Sequence, residues 1–145
     1  MKVPKDGDAV PDDHPVLRLP KPPPDFEPEN YAPSADFFVL SQEERDGNGR
    51  LSVWDERRTS AEQARAFRRA EAAIVLRGRC GAIIEAGSAC QKPVLVVYEP
   101  LAPPLDQKMG AEGHAGILGL RRPSGATKKE YRSLREAIAD CFDIA

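Results

Sequence analysis

The stretch at residues 36–67, DFFVLSQEERDGNGRLSVWDERRTSAEQARAF, decides the fold, because strand, turn and helix signals follow one another within it. Phe37 and Val39 on one side, and Leu51 and Val53 on the other, stand at period-two spacing around Asp46-Gly47-Asn48-Gly49. That four-residue run favours positive φ, so a β-hairpin is expected. Ser60 and Gln63 then stand in capping-box register and open a helix expected over residues 60–76. Ala64, Phe67, Ala70 and Ile74 form its apolar stripe, and the alanines suit close packing on a sheet.

Working toward the C-terminus, Arg77-Gly78-Arg79 closes that helix, and Ala82-Ile83-Ile84 reads as a short strand. The run Val94-Leu95-Val96-Val97-Tyr98 is continuously β-favouring, the pattern of a central strand covered on both faces. Pro100, Pro103 and Pro104 stop it, and residues 99–113 read as a long loop of the kind that often carries function. Residues 114–120 read as another strand. Thr127 and Glu130 cap a last helix whose buried stripe is Tyr131, Leu134, Ile138 and Cys141. The order β-β-α-β-β-β-α gives an α+β fold, a small mixed sheet with two helices packed on it. Phe37, Val39, Leu51, Val53, Phe67, Ile74, Val94, Val96, Leu134 and Ile138 are the expected core.

Toward the N-terminus the composition changes. Residues 1–34 hold nine of the fourteen prolines and seven acids against four bases. Proline lacks a donor and pushes its predecessor toward extended geometry, so an extended arm is expected there. The single domain is expected at residues 35–145. Within the arm, Leu17-Arg18-Leu19-Pro20-Lys21-Pro22-Pro23-Pro24 suits polyproline II.

Chain length, 145 residues, allows one core, and 41% hydrophobic with 30% charged residues is ordinary for a water-soluble protein. A net charge of −2 gives no global attraction to nucleic acid or anionic membrane. No apolar run approaches the roughly 20 residues of a membrane span, and the opening residues lack a secretory-type apolar segment. Cys80, Cys90 and Cys141 are too few for a disulfide scaffold, which points to a reduced cytoplasm.

Three constellations carry possible chemistry. His114 sits where the long loop meets a strand and is the side chain best suited to proton transfer near neutral pH. Cys90, Glu85 and Asp106 are its candidate partners, and a Cys–His pair would activate a thiolate. Cys80 and Cys90 are too far apart for the usual zinc pairing, so neither a metal nor a cofactor is expected. Arg57, Arg58, Arg65, Arg68, Arg69, Arg77 and Arg79 crowd 23 residues, opposed there by Glu62 and Glu71. Such a cluster suits an acidic partner. Trp54 is the one aromatic beside it outside the expected core, so base stacking gains little and nucleic acid is not expected. Gly110, Gly113 and Gly116 enter a strand rather than a helix, which is not a phosphate-loop setting.

The opening pattern and the Gly113-His114-Ala115-Gly116-Ile117 stretch resemble small bacterial proteins, a likeness that implies no activity. The leading expectation is a small cytoplasmic protein-interaction or adaptor module. It would bind an acidic protein surface through its arm and an arginine face formed by Arg65, Arg68, Arg69, Arg77 and Arg79. The alternative is a small hydrolase or transferase with His114 as general base, beside Cys90 or Glu85, near the 99–113 loop.

Overall fold

A computed structural model describes residues 3–20, 27–32, 34–68 and 74–145. Its strands are β1 (Pro15–Arg18), β2 (Leu51–Asp55), β3 (Leu76–Arg79), β4 (Leu95–Tyr98), β5 (His114–Leu118) and β6 (Phe142–Ile144). Its helices are α1 (Gln42–Asp46), α2 (Ala61–Arg68), α3 (Cys80–Ala89) and α4 (Lys128–Ala139). The fold is α+β, a six-stranded sheet in the order β4-β5-β2-β1-β3-β6 with four helices packed on it. Every neighbouring pair is antiparallel, where a mixed sheet was expected.

The expected opening hairpin does not form. Residues Ala35–Phe38 make a 3₁₀ turn that buries Phe37 and Phe38, while Val39, expected in the core, is 44% exposed. The supposed turn follows helix α1, which Ser41 caps: its hydroxyl accepts from Glu44 N–H, and the Glu44 carboxylate accepts from Ser41 N–H. This reciprocal cap outweighs the alternation that Phe37 and Val39 offered. Strand β2 then pairs with β5 and β1 instead.

Part of the stretch expected to be an arm is an interior strand. β1 pairs Val16 with Asp55 of β2 and Gly78 of β3, and Val16, Leu17 and Leu19 are buried. Pro15 is tolerated because it stands at the strand's first position. Residues 7–10 lie along the outer edge of β4, where Ala9 bridges Val97, Val10 N–H donates to the Val96 carbonyl and Tyr98 N–H to that of Asp8. That edge is covered. With Leu17 and Leu19 buried, the polyproline II run is not presented as a whole, and its residues 21–24 lie outside those described.

Three further expectations are corrected by length and position. Of the helix expected over 60–76, Ala61–Arg68 is α2, residues 69–73 lie outside those described, and Leu76–Arg79 is strand β3. Ala82-Ile83-Ile84 lies inside α3, a run too short for periodicity to separate helix from strand. β4 is an edge strand, and its Leu95 is 56% exposed.

The sheet divides two cores. On one face Val16, Leu51, Val53, Leu76, Val96 and Ile117 pack with Phe38, with Ile83 of α3 and with Leu134 and Ile138 of α4. On the other, Leu17, Leu19, Trp54 and Val75 pack under Ala64 of α2, with Phe67 and Leu101 at the margin.

Candidate functional site

His114 opens β5 directly across from Trp54 of β2, and the rings meet edge-on with centroids 4.8 Å apart. Cross-strand partners share a face, which puts His114 on the α2 side of the sheet. Its ring is buried and held at both nitrogens: Nδ1 lies 2.7 Å from the Glu99 carbonyl oxygen and Nε2 lies 2.9 Å from Ser52 Oγ. The Glu99 carboxylate stands 4.0 Å from Nδ1. A carbonyl only accepts, so Nδ1 carries the proton and, in the neutral ring, Nε2 accepts from the Ser52 hydroxyl.

Of the three partners expected for His114, Cys90 and Glu85 are not beside it. Cys90 packs against the core on the opposite face, and Glu85 is an exposed residue of α3 whose Oε1 lies 3.8 Å from Arg79. Cys90 lines an open concavity of about 650 Å³ with Lys92, Thr127, Lys129 and Glu130, across which Lys92 and Glu130 pair at 3.3 Å. Asp106 is exposed in the 3₁₀ turn Leu105–Gln107. Ser52 escaped the sequence reading because its link to His114 spans 62 positions.

The expected arginine face is divided. Arg77 and Arg79 stand on β3, not on the helix. Arg77 donates from two nitrogens to the Glu56 carboxylate, both at 2.7 Å, and Arg79 donates to the Asp12 carbonyl at 3.3 Å. Arg65 is exposed on α2, whereas the Arg68 side chain and Arg69 lie outside the described residues. Alongside α2 runs the loop after β4. Gly110 has φ +85, and a Cβ there would come within 2.5 Å of both Gln63 and Thr59, so only glycine lets the loop sit this close to α2. Lys108 Nζ lies 5.6 Å from the Phe67 ring centroid. Leu105 and Met109 remain 36% and 80% exposed.

A further cluster was hidden by the arm reading. Asp55 is fully buried and accepts from Tyr98 Oη–H, from Arg57 N–H at 3.0 Å and from His14 Nδ1 at 3.0 Å, with Arg58 Nε 4.0 Å away. Burial, reinforced by the bond to Asp55, pushes the Tyr98 hydroxyl up to about 12. Burial likewise pushes the nearby Cys80 thiol up to about 12, and its Sγ–H donates to the Val10 carbonyl. This network satisfies a buried carboxylate and fastens residues 10–14 to the sheet.

Among the described residues no group of three or more His, Cys, Asp or Glu is placed to hold a metal, and no helix is long and apolar enough to cross a membrane. No protein-family model, curated protein or solved structure matches the chain.

Proposed function

We propose that the protein is a small interaction module whose binding face is the outer surface of α2 together with the loop that follows β4. The observation that carries this reading is Met109, 80% exposed on a loop seated against α2. Leu105 of the same loop is also exposed, and apolar side chains grouped on one loop mark a contact surface where a single one would not. Covering Met109 contributes at most about 1.5–3 kcal/mol, and Leu105, already about two-thirds buried, proportionally less.

Arg65 of α2 and Lys108 of the loop supply the cations for this face. With Arg77 bonded to Glu56 and Arg79 to the Asp12 carbonyl, Arg65 and Lys108 remain for the partner, and two cations suit one or two carboxylates rather than a long acidic surface. The partner that fits is a protein segment pairing an apolar anchor with one or two acidic residues, an apolar centre with a polar rim. Three free cysteines fit a reduced cytoplasm.

A photo-crosslinking amino acid placed at position 109, in the host, tests the face. Position 95 on β4, equally apolar and 56% exposed, is the control. Discrete protein adducts at 109 and none at 95 support the reading, and equal or absent adducts at both positions refute it.

A further inference from the structure

We propose that Ser52 and His114 form a nucleophile–base pair able to take an acyl group from a small ester, an activity independent of the binding face. Three features of the geometry point there. Ser52 Oγ lies 2.9 Å from His114 Nε2, within reach for proton transfer. The Glu99 carbonyl at 2.7 Å fixes the proton on Nδ1 and leaves Nε2 as the base, the orienting job a third group performs in such sites. The Glu99 carboxylate, 4.0 Å from Nδ1, favours the imidazolium that forms when the serine proton arrives.

The serine is also held unusually firmly. Its N–H donates to the Glu44 carboxylate at 2.9 Å, and its carbonyl accepts from Arg18 Nη1 at 2.9 Å. Both side chains occupy places a neighbouring strand would fill, so Ser52 is fixed on a rigid element at the point where β1 and β2 part. Trp54 fixes the imidazole plane from the edge. Rigid placement of both groups is what an attacking pair requires. The residue facing Ser52 across the pair of strands is Gly116, over which the Arg50 side chain lies, and Ser52 itself is half-buried.

The step balances with water as the second reactant. Ser52 Oγ bonds to the ester carbonyl carbon while its proton moves to His114 Nε2. The carbon–alkoxide bond breaks, and His114 returns the proton to the leaving alcohol. Water, deprotonated by the same nitrogen, then cleaves the Ser52 ester, releasing a carboxylic acid and restoring the hydroxyl.

A fluorophosphonate probe on the full chain tests this by intact and peptide mass spectrometry. The expected result is one adduct per chain, localised to Ser52. His114→Gln should slow its formation by roughly 10²–10⁴-fold, the usual range for losing a general base. An unlabelled Ser52 in the wild-type chain would overturn the proposal without recourse to any variant. So would a His114→Gln chain that keeps the wild-type unfolding midpoint and labels at the wild-type rate. Release of nitrophenolate from p-nitrophenyl butyrate by the wild-type chain, lost in Ser52→Ala, is expected in parallel, and hydrolysis undiminished in Ser52→Ala would count against it.

Discussion

His14 Nδ1 lies 3.0 Å from Asp55 Oδ2 across 41 positions of sequence, tying a proline-flanked segment to the end of an interior strand. The same carboxylate holds Tyr98 and the Arg57 N–H, so one buried acid joins the N-terminal segment, β2 and β4.

Removing that acid leaves several buried donors unpaired. Asp55→Ala should cost about 3–5 kcal/mol, the range for breaking a buried charged network from one side. Urea unfolding measures it, and a loss under about 1 kcal/mol would show that the network is not a structural anchor.

The pairing of β1 with both β2 and β3 makes the N-terminal segment part of the domain. A chain beginning at Ala35 should show no cooperative unfolding transition by circular dichroism. A sharp transition near the full-length midpoint would return residues 1–34 to the status of a dispensable arm.

Stability should fall at alkaline pH. Tyr98 and Cys80 have ordinary values of 10.0 and 9.0 and are held near 12 in the folded chain. Each therefore keeps a proton when folded that the unfolded chain gives up, so their contribution is complete below about pH 9 and is lost as pH rises toward 12. Unfolding free energies measured from pH 8 to 11.5 should decline. Tyr98→Phe should flatten the part of the decline above pH 10.

The thiols should separate by reactivity. Cys80 is fully buried with its thiol raised to about 12, whereas Cys90 is half-buried beside an open concavity. Iodoacetamide at pH 8 should modify Cys90 well before Cys80, because the thiolate and its access both govern the rate. Peptide mass spectrometry showing equal rates would contradict the burial described for Cys80.

Local signals were legible where a cap or an unbroken apolar run decided the outcome. Thr127 accepts from Glu130 N–H as the spacing indicates, and Leu134 and Ile138 are fully buried below it. Strands at Leu51–Asp55, Leu95–Tyr98 and His114–Leu118 follow from their alternating or continuous apolar residues. What escaped depended on distant partners. Pro15, Pro20 and the prolines beyond masked the four-residue β1, whose place comes from β2 and β3 rather than from its own pattern. Ser41 and Glu44 held a usable capping signal that the Phe37–Val39 alternation overshadowed. Ser52 and His114, like His14 and Asp55, are joined only by the fold.

Affinity of the full chain for its crosslinked partner, measured by calorimetry, probes the binding face. Met109→Glu should weaken binding at least about tenfold, since a charge would replace a buried apolar contact, with Arg65→Glu weakening it less. Leu95→Glu, on the far edge strand, should leave affinity unchanged. Loss of binding with Leu95→Glu alongside unaltered affinity in Met109→Glu would place the contact elsewhere than the loop at Met109.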